Sequence, residues 1–374
     1  MVQAMKLSVF GLSVSSSWGS EHASLWRGLM RALAALGHQV TFYERAVPQR
    51  AAHREWTAGP AEELVLYSDF ATMKQGAAPA LRQTDVALVT SDCPDALAAG
   101  QLIHESAVPI RAFYDLDAPA TGQRISRGEA LPYIGSRGLA DFDVVLSYAG
   151  GRALTELRNV LGARRVATLY DCVDPHLHAP SVPLRKFRAD LSYLGAARGA
   201  EPQAALNELF LALARARADL TFAVGGTHYL TGLAGAANIK YLWQVVVHEQ
   251  AAFFCSARLN LLLAPTPMAV TGYCPPARLF EAAACGAAVL TNDWPGLREF
   301  YEPGKEVIVV RDADDVLAAL ALSERDLAAV RRRARERTLA QHTAELRARQ
   351  LSEILDQARV GPQEFARMAA SGAR

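Results

Sequence analysis

Short apolar runs alternate with amphipathic stretches along most of this chain. Lys6 to Leu12 is an apolar run of strand length, Glu21 to Leu36 carries apolar residues at helical spacing and stops at Gly37, and Gln39 to Tyr43 is again strand-like. Strand, helix and strand in that order predict one βαβ unit. Further strands are predicted at 85–90, 109–114, 142–148 and 165–170, with helices at 94–106 and 150–161. The stretch 48–82 has weaker periodicity; a helix around 60–68 is expected, with irregular chain on either side. Cys172 to Leu184 holds three prolines and two histidines with little periodicity, so it reads as a linker. The alternation then resumes. Strands are predicted at 190–194, 219–224, 238–242, 258–263, 287–291 and 306–310, and helices at 201–217, 248–255, 276–285 and 313–321. The stretch 323–359, rich in Arg, Glu, Ala and Leu, reads as helical.

Two successive runs of this kind predict an α/β protein built from two doubly wound, Rossmann-like domains facing a central cleft. The expected division is 1–171, a linker at 172–186, a second domain at 187–340 and a C-terminal helical tail at 341–374. The 374 residues suit two domains of ordinary size, and 51% hydrophobic content suffices for two cores. A net charge of +1 predicts no general attraction to nucleic acid or anionic lipid. Five cysteines without a Cys-x-x-Cys pair or zinc spacing fit a reducing compartment better than a disulfide framework. The start, MVQAMKLSVFGL, reads as a first strand rather than a signal peptide. No stretch approaches the roughly 18–20 apolar residues of a membrane span. A cytoplasmic protein is expected, with peripheral membrane contact left open. Heavy use of Ala and Arg suggests a GC-rich genome.

The densest stretch chemically is Gly272 to Gly296, GYCPPARLFEAAACGAAVLTNDWPG. Pro275 and Pro276 suit a helix start, and Gly286 supplies its stop. The helix between is apolar except for Arg278 and Glu281. Free N–H groups and the helix dipole at such a start attract an anion. Glu281, in the second turn, can accept two hydrogen bonds from a ribose diol, and Arg278 lies nearer the helix start, where a diphosphate would sit. The competing reading is a surface ion pair three residues apart, worth only about 0.2–0.5 kcal/mol. An unpaired carboxylate on a mostly buried helix would be costly, which favours a ligand. Gly195 to Gly199 follows a strand and precedes a helix; Gly195 lets a phosphate approach the backbone and Arg198 supplies a counter-charge, or the segment is an ordinary turn.

The run Gly-Tyr-Cys-Pro-Pro-x-Arg-Leu-Phe-Glu-Ala-Ala-Ala-Cys-Gly followed by Asp-Trp-Pro-Gly-Leu resembles the donor-binding segment of GT-B glycosyltransferases, most closely their CgeB-like, spore-maturation branch. FYDLDAP (113–119), LSYAGG (146–151), LYDCVDP (169–175), YLGAARGAEPQAAL (193–206) and FFCSARLNLLL (253–263) are similar pieces, so the resemblance covers about 113–310. It implies transfer of a sugar from a nucleotide-diphosphate sugar to an acceptor hydroxyl. It also implies no cofactor beyond that co-substrate, no metal, and a tail that crosses back to the first domain. Many retaining members carry a second Glu eight residues before the first; here that position is Tyr273, beside Gly272. Tyr273 either contacts sugar or phosphate through its hydroxyl or walls the cleft. In related folds the loop at Trp243 and Gln244 meets the nucleobase, which an indole can stack on and an amide can pair with; a core Trp243 is the alternative, as for Trp294.

The loop 15–24 follows the first strand, where ligands of doubly wound sheets bind. His22 is a candidate general base there; Ser20 and Glu21 otherwise read as an ordinary helix start. Asp115 and Asp117 end another strand. They are candidates for acceptor binding or for deprotonating an acceptor hydroxyl, or they cap the turn before Pro119. A metal role for this Asp-x-Asp is not expected, since it lies in the other domain from the nucleotide signals. Asp171 and Asp174 are read as shaping the linker, and His176 and His178 as no metal site. The rival functions are a nucleotide-sugar epimerase of the same architecture and a non-catalytic spore or envelope binding protein. A DNA acceptor gains no support from the charge.

Overall fold

The computed structural model describes residues 3–17, 22–54, 56–195, 204–226, 237–243 and 245–359. The chain divides into two compact units, Met1–Asp171 with Ala344–Arg374, and Cys172–Thr343.

The first unit is a seven-stranded, wholly parallel sheet. Its strands are β1 (Lys6–Gly11), β2 (Gln39–Arg45), β3 (Glu62–Tyr67), β4 (Val86–Thr90), β5 (Ile110–Asp115), β6 (Val144–Ser147) and β7 (Val166–Thr168), in the order β3-β2-β1-β4-β5-β6-β7. Its helices are α1 (Ala23–Ala35), α2 (Pro48–Ala51), α3 (Phe70–Leu81), α4 (Ala96–Glu105), α5 (Ala118–Ser126) and α6 (Arg152–Asn159). The central strands are apolar on both faces because helices cover both. Phe10, Tyr43, Phe113 and Val145 of the sheet pack with Leu81, Leu102 and Leu157 of the helices. α1 ends as its glycine predicts. Gly37 adopts φ +89, its amide donates to Ala34 O and that of His38 to Leu33 O, a paired hydrogen-bond stop that only a left-handed residue allows.

One expectation is corrected here. The stretch around 60–68 is not a helix: Glu62–Tyr67 is the edge strand β3, paired in register with Val40–Arg45 of β2. The ladder with β2 overrides the helix preference of Ala-Glu-Glu-Leu. The chain expected to be irregular after it forms α3, whose start Asp69 caps by accepting from the Thr72 amide at 2.7 Å.

The second unit has a six-stranded parallel sheet. The strands are β8 (Ala189–Leu194), β9 (Phe222–Gly225), β10 (Ile239–Leu242), β11 (Ala257–Leu261), β12 (Val289–Thr291) and β13 (Ile308–Val309), in the order β10-β9-β8-β11-β12-β13. Its described helices are α7 (Ala212–Ala216, entered through a π-turn at Asn207–Leu211), α8 (Val247–Ser256), α9 (Thr266–Thr271), α10 (Ala277–Ala284), α11 (Leu297–Phe300), α12 (Ala313–Leu320) and α13 (Glu324–Gln341). Leu191, Phe222, Leu259 and Leu290 meet Phe210, Val316 and Leu327 in its core.

The chain then returns to the first unit as α14 (Ala344–Arg359), which packs on α1. The buried His38 ring holds it: Nδ1 accepts from the Met5 amide at 3.0 Å, so Nε2 donates to Ser352 Oγ at 2.9 Å. In each unit the strand order reverses once, between β1 and β4 and between β8 and β11. Ligands of such sheets bind beyond the carboxyl ends of the strands at that reversal.

Candidate functional site

In the second unit, β8 delivers Gly195 to the reversal point. A Cβ there would lie 2.9 Å from the Tyr193 hydroxyl, so any larger residue would have to displace that ring. Burial raises the Tyr193 hydroxyl above its ordinary value while the Arg278 charge draws it down, which brings β8 and α10 to one place. The approach to α10 is tightly shaped. Gly272 has φ +69 and Tyr273 φ +47; Tyr273 is the one non-glycine residue with positive φ among the described residues. Its amide donates to Pro295 O at 2.7 Å, and a Cβ on Gly296 would meet Tyr273 Cα at 2.9 Å. The 272–276 and 293–296 loops therefore fix each other, and the left-handed Tyr273 stores roughly 1–3 kcal/mol of strain.

Pro276 precedes α10 and no side chain caps its start. The Leu279 amide donates to Pro276 O at 3.0 Å, and the helix dipole with the amides ahead of it is oriented to favour an anion. Leu279, Phe280 and Ala282–Ala284 bury the helix, which stops at Gly286 with φ +73. Arg278 and Glu281 lie on one face. Arg278 Nη1 stands 3.9 Å from Glu281 Oε2, beyond hydrogen-bond reach, although the Glu281 side chain is only 13% exposed. Neither atom has a hydrogen-bond partner.

The segment Cys172–Leu184 is ordered. Val173 N donates to His342 O at 2.9 Å, and Asp174 accepts from His176 N at 2.9 Å and His178 N at 2.8 Å, through its Oδ1 and its carbonyl respectively. That turn buries His178 to 2% exposure, with Nε2 3.8 Å from Glu281 Oε1. Sequence reasoning set His178 aside. A histidine among prolines carries no local signal of burial.

Trp243 is 67% exposed with its ring edge-on to Tyr241, which removes the core alternative. Trp294 is buried against Phe300 and is a core residue. Arg198 and Gln244 lie outside the described residues.

In the first unit, His22 sits just before α1, its Nδ1 without a partner and its ring edge-on to Tyr148 at 5.5 Å. Ser20 and Glu21 lie outside the described residues. Burial raises Asp92, and the charge it feels most in opposition is that of His22, so the two are neighbours. Asp115 ends β5, fully buried. Its Oδ1 accepts from Thr121 Oγ1 at 3.0 Å and from Asp117 N at 3.2 Å, while Oδ2 has no partner. Burial pushes its carboxyl up to about 6, against the pull of those hydrogen bonds. Asp117 is exposed and accepts from Ala120 N at 3.2 Å as the N-cap of α5. The Asp-x-Asp pair is thus split between a buried titrating group and a helix cap. Glu44, at the end of β2, was missed from sequence. Completely buried, it accepts from Val14 N, Ser15 N and the Ser13 and Ser15 hydroxyls at 2.7–3.2 Å, holding the loop after β1.

Among the described residues, no group of three or more His, Cys, Asp or Glu side chains is gathered as a metal ion would need. No helix among them is long and apolar enough to cross a membrane.

Residues 202–353, which include α10 with Arg278 and Glu281, match the family model described as glycosyl transferase-like. No curated protein matches the chain in sequence. Solved structures match it along nearly its whole length. It is similar to sucrose-phosphate synthase from Thermosynechococcus elongatus, with 14% identity, a TM-score of 0.63, and coverage of 94% of this chain and 98% of that one. It is similar to Anabaena HepE in complex with UDP and glucose, with 14% identity, a TM-score of 0.63 and coverage of 94% and 99%. It is also similar to an α-glucosyltransferase in complex with UDP-glucose and abasic-site DNA, with 11% identity, a TM-score of 0.64 and coverage of 95% and 100%. The fold is that of the GT-B glycosyltransferases.

Proposed function

We propose that this protein transfers a sugar from a nucleoside-diphosphate sugar, a UDP-sugar in the first instance, to an acceptor hydroxyl. The observation that carries the reading is the Arg278–Glu281 pair at the uncapped start of α10, within the segment matched by the glycosyl transferase-like model. Glu281 accepts the ribose diol. Arg278 and the α10 amides neutralise the diphosphate as it leaves, a stabilisation that grows as negative charge develops on the leaving group. Gly195 keeps the end of β8 open to the phosphates, and exposed Trp243 offers a face to the base. UDP is the first candidate because two of the similar structures hold UDP or UDP-glucose.

The acceptor side belongs to the first unit in this reading. His22, with its unpartnered Nδ1, and Asp115, titrating near 6, are the groups whose chemistry fits taking a proton from an acceptor hydroxyl. Nucleic acid is not the acceptor proposed, since the net charge of +1 provides no basic footprint. The Gly272–Gly286 run supports membership of the CgeB-like branch, and the proposal has the protein act in the cytoplasm without a further cofactor.

The test is calorimetric titration with UDP, GDP, dTDP, CMP and ADP, repeated on Glu281→Ala and Arg278→Ala. Selective binding of one nucleotide, weakened at least about tenfold in both variants, is expected from the loss of charge-assisted hydrogen bonds. Failure of every nucleotide to bind folded wild-type protein would move the reading to a non-catalytic module. Consumption of the bound nucleotide-sugar without any acceptor, with a new sugar epimer formed, would move it to an epimerase.

A further inference from the structure

Four polar atoms without partners lie around one carboxylate in the second unit: His178 Nδ1 and Nε2, Arg278 Nη1 and Glu281 Oε2. Buried polar groups in native proteins are nearly always hydrogen-bonded, so each unmet group needs a reason. The imidazole is the least expected of them. It comes from a separate segment, it is 2% exposed, and it faces Glu281 Oε1 at 3.8 Å while Arg278 faces Oε2 at 3.9 Å. The carboxylate stands between two donors and touches neither.

We infer that His178 is a positioning residue for the nucleotide: its Nε2–H holds Glu281 Oε1, so that Oε2 is presented to the ribose diol. This rests on the donor-site reading above and deepens it. A glutamate side chain has three rotatable torsions, and an unanchored carboxylate samples several orientations. An ionised carboxylate accepts about four hydrogen bonds. One from the imidazole leaves Oε2 and part of Oε1 for the two ribose hydroxyls. Closing the gap from 3.8 Å to a hydrogen bond takes a movement of about 1 Å, within the reach of a side-chain rotation of Glu281. Asp174 Oδ1 accepts from the His176 amide and the Asp174 carbonyl from the His178 amide, so the turn fixes where the ring can reach.

The measurement is a double-mutant cycle on nucleotide affinity. The probe is UDP, or whichever of GDP, dTDP and ADP binds the wild-type chain most tightly. His178→Phe keeps a ring of similar volume without either nitrogen; His178→Ala is the second variant should the larger ring prevent folding. Either is expected to weaken the nucleotide about tenfold. His178→Gln, whose amide nitrogen reaches about as far as Nε2, is expected to stay within about threefold of wild type. In a Glu281→Ala background, which removes the acceptor, the further loss from His178→Phe is expected to shrink to within about twofold, because the interaction being removed is already gone. A nucleotide that binds the wild type while the His178 variants bind equally well would overturn the inference and leave the donor site standing. So would losses at the two positions that simply multiply, the mark of a general structural role. No binding by any of the four nucleotides would overturn the donor-site reading, and the inference with it.

Discussion

Glu44 and Glu281 are both nearly buried carboxylates at the ligand-binding end of a parallel sheet, and they are built in opposite ways. Glu44 has four donors, two amides and two hydroxyls, all from the loop after β1. Glu281 has an imidazole and a guanidinium at 3.8 and 3.9 Å and an Oε2 without a partner. The first carboxylate is used up by its own chain and shapes a loop. The second keeps an oxygen without a partner, which in the proposed donor site the ribose hydroxyls complete. A buried acid is therefore informative about function only after its hydrogen bonds are counted.

Removing each acid sharpens that contrast. Glu44→Ala strands the Val14 and Ser15 amides and the Ser15 hydroxyl in a dry place, while the Ser13 hydroxyl keeps Ser16 O at 2.9 Å, and the expected cost to the first unit is about 3–5 kcal/mol, read by chemical denaturation. Glu281→Gln takes away an incompletely paired charge. It is expected to leave the second unit as stable or to raise its stability by up to about 1 kcal/mol while weakening the nucleotide. Equal destabilisation by the two variants would erase the distinction.

Asp115 lies between these extremes, with one oxygen satisfied and one not. Its folded-state value near 6 stands above the ordinary carboxylate range, so the folded protein holds this proton more tightly than the unfolded chain does. The stabilisation is complete below about pH 4 and is lost as the pH rises through about 6, up to about 3 kcal/mol in all. Asp115→Asn keeps an oxygen for Thr121 and the Asp117 amide and has no charge to bury. It is expected to be more stable than wild type by up to that amount at pH 8, with the difference vanishing near pH 3.5. Melting curves across that range check the sign, and a pH-independent difference would refute the assignment. His38 runs the other way. Burial lowers its folded-state value, so its contribution is present above about pH 6.5 and is lost on acidification, and the two slopes must be separated by variants.

The doubly wound architecture was readable because central strands buried on both faces leave unbroken apolar runs such as Lys6–Leu12. β3 was not readable. An edge strand is half exposed, and Glu62 and Glu63 look helical until β2 pairs with them. α3 was hidden by Gly76 and by Pro79, which falls near its end. At the site, Arg278 and Glu281 were legible through their offset from Pro276 and Gly286, which define the helix and its phase. His178 was not, because its place beside Glu281 depends on how the turn at Asp174 packs against a helix about a hundred residues later. Glu44 was hidden for the same reason: its donors are in another loop, and a strand-end Glu in sequence looks like solvent-facing charge.

The smallest expected effect separates the two aspartates that sequence alone left together. Asp117 is exposed and accepts the Ala120 amide at the start of α5. Asp117→Ala removes that cap and is expected to cost about 1 kcal/mol of stability. Asp117→Ser, which retains an acceptor at the cap, is expected to recover most of it. Neither change should alter the pH dependence of stability assigned to Asp115 beyond a few tenths of a kcal/mol, since an exposed charge beside a buried one is strongly screened. If Asp117→Ala instead shifted the Asp115 transition by a full pH unit, the pair would have to be treated as one coupled acid. The division of labour in this loop, cap on one side and titrating group on the other, would then fail.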